Sequence, residues 1–181
     1  MSDQTNVLTL VANRLDAVQI PYMVTGSIAA SHYAEPRFTR DVDIVVELVP
    51  ADAARIVSLF RHDFYVDEPA VAAAVARRGL VNLIHHDLLV KVDLIVRKNS
   101  EYRVEEFRRR RTVRIDDIAV SMVAPEDLVI SKLVWMKESG SEVQRRDVQR
   151  LVEAVRDLDR QYIERWVAEL TVLSLWREVA G

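Results

Sequence analysis

Two stretches of this 181-residue chain set carboxylates inside runs otherwise suited to buried strands: Asp41-Val42-Asp43-Ile44-Val45-Val46 and Val90-Lys91-Val92-Asp93-Leu94-Ile95-Val96. β-branched residues at that density favour a pleated strand. Side chains at i and i+2 of a strand share a face, about 7 Å apart, so Asp41 and Asp43 look to the same side. An ionised carboxylate in apolar surroundings costs several kcal/mol unless a cation accompanies it. Three such acids therefore ask for cations, the alternative being an edge strand whose acids are merely solvated. Divalent metal answers the demand most simply. In a two-metal site the ions lie about 3.5–4 Å apart and bridge carboxylates and phosphate oxygens. Mg2+ suits all-oxygen ligands and shares its shell with nucleotide phosphates, and Mn2+ is the substitute expected.

Gly26-Ser27, separated from Asp41 by thirteen residues, supplies a matching anion site. Glycine lets backbone approach a phosphate closely, and serine at a helix start aims free amides and the positive dipole end at an anion. The pair alone also reads as an ordinary serine cap after a glycine turn. Its meaning comes from the acids that follow.

Four Gly and five Pro punctuate the chain, with no linker, repeat or low-complexity tract. Val7, Val11, Leu15 and Val18 fall on one helical face, Tyr22–Thr25 reads as a short strand, and a helix restarts at Ser27. Glu35–Thr39 reads as a loop before the Asp41 strand. Pro50 opens an Ala-rich helix to about Arg61. A strand at Phe64–Val66, a helix at Pro69–Arg78 and strands at Val81–Ile84 and Leu88–Val96 complete the first hundred residues. From Pro125 onward the pattern is purely helical. These features predict an α/β (α+β) half over residues 1–120 followed by a helical half over 121–181.

With 25 Lys+Arg against 28 Asp+Glu, the net charge of -3 excludes a uniformly basic shell that binds nucleic acid by counterion release. The absence of cysteine excludes disulfides, thiolate metal sites and a cysteine nucleophile, and accords with a cytoplasmic setting. The polar start Met1–Asn6 is unlike a signal peptide. Apolar runs such as Ile44–Val49 fall far short of the ~20 residues of a spanning helix, so no membrane partner is expected.

At these residues the sequence resembles the nucleotidyltransferase superfamily of DNA polymerase beta type, whose pattern is an apolar strand, Gly-Ser, a spacer, Asp-apolar-Asp and a third acid on a later strand. Thr25–Ala30, Arg37–Ile44, Pro125–Leu133 and Arg145–Val148 look like its AbiEii-type branch of small stand-alone enzymes, which includes toxin components of toxin-antitoxin pairs. The resemblance spans roughly residues 20–155. It implies a polymerase-beta-like, mixed-sheet palm over residues 1–120, with the helical region of 121–181 packed on it, in which Asp41 and Asp43 bind two Mg2+ ions. Asp93 would bind one of them and help deprotonate the acceptor hydroxyl, while Gly26 and Ser27 hold the triphosphate. Lys132 would bind phosphate or nucleotide from the helical region, with Asp147 beside the same cleft. The implied reaction transfers NMP from an NTP, ATP among them, to a hydroxyl acceptor such as tRNA or another RNA, with an antitoxin protein as partner. The alternatives are an antibiotic (aminoglycoside-like) nucleotidyltransferase and a noncatalytic nucleotide- or partner-binding module.

Other candidates carry competing readings. Arg37 and Arg40 either clamp phosphates or neutralise Asp41, Asp43 and Glu35. Only four of the 25 bases are Lys (91, 98, 132 and 137), so 21 are Arg, the cation suited to phosphate. The run Arg108–Arg111 either contacts RNA or forms a solvated face answering Glu105 and Glu106. His85-His86-Asp87 reads as a turn, since it lacks further metal ligands. His32 reads as structural, and Trp135, Trp166 and Trp176 as packing residues.

Overall fold

The computed structural model describes residues 2–36 and 41–180. The expectations for Arg37 and Arg40 fall outside the described residues. Helix α1 (Asp3–Ala17) starts under a Ser2 cap whose hydroxyl accepts from the Thr5 amide, and it buries Val7, Leu8, Val11, Ala12 and Leu15. Strand β1 (Tyr22–Thr25) runs straight into α2 (Gly26–Tyr33). β2 (Asp41–Val46) follows, then a short 3-10 turn at Pro50–Asp52 leading into α3 (Ala53–Phe60). The first turn expected of a helix from Pro50 is thus wound more tightly. β3 (Phe64–Tyr65), α4 (Glu68–Arg77), β4 (Leu80–His85) and β5 (Lys91–Val96) come next. Then follow α5 (Glu101–Arg108) and the hairpin of β6 (Arg111–Ile115) and β7 (Ile118–Met122). Helices α6 (Pro125–Ser139), α7 (Glu142–Ala154), α8 (Arg160–Glu169) and α9 (Leu173–Ala180) close the chain.

The seven strands form one mixed sheet in the order β3-β4-β5-β2-β1-β7-β6. β2 runs parallel to β5, β1 runs parallel to β7, and the other neighbours are antiparallel. Parallel neighbours need long crossovers, which the α3–β4 segment supplies between β2 and β5. Val42, Ile44 and Val46 of β2, Val92, Leu94 and Val96 of β5 and Leu83 of β4 are fully buried and build one face of the sheet. Alternation leaves Asp41, Asp43 and Val45 on the other.

Two local departures have physical causes. The strand expected from Leu88 begins at Lys91, because Leu89 takes φ 51° and folds the chain back at His85–Leu89. The expected His85-His86-Asp87 turn is therefore present and longer. α5 and the β6–β7 hairpin lie where the pattern gave no element, since Arg111-Thr112-Val113-Arg114-Ile115 is an edge strand with little burial on either face. No helix among the described residues is long and apolar enough to cross a membrane.

Candidate active site

The register of the sheet assembles the site. Asp43 lies opposite Asp93 of β5 on one side and Thr25 of β1 on the other, and Asn82 of β4 pairs with Asp93. Residues in register share a face, so Asn82, Asp93, Asp43 and Thr25 form one row across the sheet. One step along the strands, Ile84, Lys91 and Asp41 form a second row, and Leu80, Ile95 and Val45 a third. The three sequence-predicted acids thus converge on one face, with Gly26 immediately after the end of their row.

The acids are held by specific partners. Asn82 donates its side-chain amide to Asp93 Oδ1. Lys91 Nζ lies 3.1 Å from Asp93 Oδ2 and 3.4 Å from Asp41 Oδ2, so one ammonium spans two carboxylates. Burial opposes that charge, but the hydrogen bond and charge of Asp93, aided by Asp41, hold Lys91 above its usual range. Asp43 accepts a hydrogen bond from the Ser27 backbone amide, and Lys132 also favours its charge. Burial, with the neighbouring Asp93 and Asp41 charges, nevertheless pushes its pKa up to about 6. Asp43 is the acid most in need of positive charge.

Gly26 stands against this carboxylate at φ 65°, and a Cβ there would fall far inside contact distance of Asp43 Oδ2. Glycine is required twice over, by backbone conformation and by space. Helix α2 begins at the same point, so its first amides and dipole face Asp43. A helix N-terminus thus stands beside a carboxylate, an arrangement that a divalent cation would balance once a further anion is bound. Among the described residues no group of three His, Asp or Glu side chains is arranged to hold a metal ion as it stands, and Lys91 is the cation that Asp41 and Asp93 share. The donor set itself fits the group: hard carboxylate oxygens, two on one strand and one in register beside them, around a glycine cradle.

The helical half contributes Lys132 and Asp147, both almost fully buried. Lys132 Nζ donates to Asp147 Oδ2 at 2.7 Å and to Gln144 Oε1 at 3.0 Å. Their expected proximity to one cleft takes the form of an ion pair between α6 and α7, with Lys132 close enough to act on Asp43.

A cavity of about 130 Å³ opens between the sheet face and α6, lined by Thr25, Gly26, Val45, Ile95, Lys132 and Trp135 among others. Its floor is the apolar third row. Arg103 and Glu106 of α5 and Ser131 of α6 also reach it. Trp166 and Trp176 are packed in the core as expected, but Trp135 is 39% exposed. Its helical spacing among apolar residues hid this role.

No known protein-family profile and no curated protein sequence matches the chain. Solved structures do. An antigenic nucleotidyltransferase-like protein from Paracoccidioides brasiliensis superposes at TM-score 0.57 and 19% identity, covering 98% of this chain and 94% of its own. ANT(2'')-Ia in complex with adenylyl-2''-tobramycin superposes at TM-score 0.65 and 11% identity, covering 94% and 98%. The lincosamide antibiotic adenylyltransferase LnuA, lincomycin-bound, superposes at TM-score 0.54 and 10% identity, covering 82% and 96%. The fold is that of the nucleotidyltransferases.

Within the nucleotidyltransferase fold, the palm is the mixed sheet that carries Asp41, Asp43 and Asp93, and the C-terminal helices carry Lys132 and Asp147. The four arginines of the run each have a partner within the chain. Arg108 pairs with Glu105, Arg109 reaches Asp127 and Glu126, Arg110 bonds the Phe107 carbonyl, and Arg111 reaches Glu126. Only Arg108 gives the local answer to Glu105 that the sequence suggests, and Arg103 is the residue that answers Glu106. Arg109 also stacks on Tyr162 at 3.8 Å, tying α5 to α6 and α8. His32 lies edge-on to Tyr33, and burial lowers its pKa, in keeping with a structural role. Sequence reasoning missed Lys91 and Asn82, although Lys91 sits two residues before Asp93 and so had to share its face.

Proposed function

We propose that this protein is a metal-dependent nucleotidyltransferase that moves a nucleoside monophosphate from an NTP to a hydroxyl and releases pyrophosphate. The observation that carries the reading is the single row Asp93–Asp43–Thr25 ending at the amides of Gly26 and Ser27. It joins acids that can hold cations to a helix start that can hold phosphate. Asp41, Asp43 and Asp93 would hold Mg2+, or Mn2+, which supplies the positive charge that a transferring phosphoryl group and departing pyrophosphate require.

The chain's own groups define the direction of attack. Gly26, Ser27 and Lys132 bind the β- and γ-phosphates on the β1 side of Asp43. In-line displacement sends the nucleophile in from the opposite side, over Asp93 and β4. There the acceptor oxygen bonds to the α-phosphorus while the bond to the bridging oxygen breaks, and the hydroxyl proton passes to the Asp93 carboxylate. The palm of residues 1–120 and the helices of 121–181 hold the nucleotide between them.

The acceptor side favours RNA over a polyamine antibiotic. Beyond Asn82 the face continues into exposed Leu80, Ile84 and Tyr65, with Tyr65 in register with Ile84. These are surfaces for a nucleobase, and of the two charged side chains in the Tyr65–Ile84–Lys91–Asp41 row the one nearer to them is the Lys91 cation. The adenylyltransferases of similar fold act on antibiotics, which makes aminoglycoside transfer the second reading. A partner covering this same edge would block acceptor entry, as a toxin-antitoxin setting requires.

The test is incubation with each labelled NTP, Mg2+ and total RNA, beside Asp41→Ala and Asp43→Ala. Label on RNA that vanishes in both variants supports the reading. No consumption of any NTP in Mg2+ or Mn2+ with RNA, protein or aminoglycoside acceptors overturns it.

A further inference from the structure

Arg103 enters the cavity above the palm with half of its guanidinium already committed and half of it not. Its side chain is about three-quarters buried, and it is fixed from both sides. Nη1 donates to both oxygens of Glu106, at 2.9 and 2.8 Å, and to Ser131 Oγ at 2.6 Å. Glu106 is itself 3% exposed and also accepts from the Ser131 hydroxyl. Every hydrogen bond that Arg103 gives to a described residue leaves from Nη1, so Nε and Nη2 hold no acceptor among the described residues. The guanidinium is planar and cannot turn without breaking the Glu106 contacts.

The same cavity is lined by Gly26 and Lys132, the residues to which the phosphates are assigned above, and by the apolar Val45, Ile95 and Leu128. A nucleotide anchored by its phosphates therefore carries its base into a slot with an apolar floor, an indole at its mouth and a rigid pair of donors in its wall. Glu106 and Ser131 spend their hydrogen-bonding capacity on each other and on Arg103. What Arg103 offers a ligand is donors, two nitrogens side by side.

We propose that Arg103 selects the nucleotide by its base, favouring one whose edge presents two adjacent acceptors. Guanine does so through O6 and N7, and cytosine through O2 and N3. Adenine sets its exocyclic amine beside N7 and N1, and uracil sets N3–H between its carbonyls, so each meets one of the two donors with a donor of its own. The substrate class of the site is thereby GTP or CTP rather than ATP or UTP. This inference rests on the nucleotidyltransferase reading.

The experiment is calorimetric titration of the full chain with each of the four NTPs in Mg2+, and with inorganic tripolyphosphate as a base-free probe. GTP or CTP is expected to bind about tenfold or more tightly than ATP and UTP. The analogue lacking one acceptor, 7-deaza-GTP or 3-deaza-CTP, is expected to lose that advantage on the unaltered protein. Arg103→Lys keeps the charge and removes the fork, and should level the four affinities to within about threefold while tripolyphosphate binds as before. Quenching of Trp135 fluorescence, absent in Trp135→Phe, reports the base in the cavity. Equal affinity for ATP and GTP or CTP, or a preference that survives both the deaza analogue and Arg103→Lys, overturns the inference while nucleotide binding stands. Failure of tripolyphosphate and all four NTPs to bind overturns the nucleotide reading itself and this inference with it.

Discussion

Asp43 and Asp93 stand directly opposite one another on neighbouring parallel strands, so two carboxylates that serve no packing purpose face the same side of the sheet at one level. The two charges repel one another and work against stability. Asp43→Asn removes one of the facing charges. Loss of NMP transfer by about 10²–10³-fold or more is expected, together with a rise in Tm of about 2–4 °C for each kcal/mol of repulsion relieved. Thermal unfolding without metal and transfer assays with Mg2+ check the two halves. A variant both inactive and less stable contradicts the assignment.

Gly26→Ala probes the cradle. The added methyl meets the Asp43 carboxylate, and alanine is strained at φ 65°. A destabilisation of about 1–3 kcal/mol by denaturant titration is expected, with weakened binding of tripolyphosphate. Unchanged stability would mean that α2 and β2 move apart freely, and that the close approach does not matter.

Lys132 and Asp147 form a buried pair across α6 and α7. Lys132→Met alone strands a carboxylate in the interior and should cost about 3–5 kcal/mol, whereas Lys132→Met with Asp147→Leu should recover most of it. The double variant is then the informative one for function. It is expected to fold and yet to lose triphosphate affinity. Full affinity in that variant would remove Lys132 from the phosphate site.

Acid sensitivity has a separate origin, far from the site. Arg14 of α1 bonds Asp63, which follows α3, and His62 bonds the same carboxylate. Hydrogen bonds from His62 and then Arg14 lower the Asp63 pKa to about 2. A carboxylate depressed on folding stabilises the native state above its unfolded pKa of about 4, and that contribution disappears as pH falls towards 2. The Tm difference between the parent and Asp63→Asn should therefore shrink as pH falls from 4 towards 2. A difference unchanged across that window would show that the contact carries no linked proton.

Much of this architecture is legible in the chain because its informative residues obey strict local periods. Asp41 and Asp43 betray their shared face by a spacing of two, and Gly26-Ser27 marks a helix start by residue type. Lys132 and Asp147 appear on helices whose apolar spacing is plain. Register is different. That Asp93 meets Asp43 depends on β5 inserting beside β2 across about fifty residues of intervening chain, a choice made by packing of the apolar face rather than by any residue in either strand. Trp135 and Arg103 were hidden for a related reason: an indole at a cavity mouth and an indole in a core share the same helical spacing, and a cluster of arginines looks alike whether it pairs with Glu126 and Asp127 or with a phosphate.

The strand order has a further consequence for when the site is completed. Gly26, Asp43, Asp93 and Lys132 are spread over more than a hundred residues and come together only through the parallel β2–β5 pairing and the docking of α6. Such distant pairing is slow to form and gains little until it is complete. A chain still emerging from the ribosome with residues 1–120 alone therefore has its acids and the Gly26 turn but neither Lys132 nor the cavity. The full constellation is absent from any fragment that lacks α6 and arrives only with the finished fold.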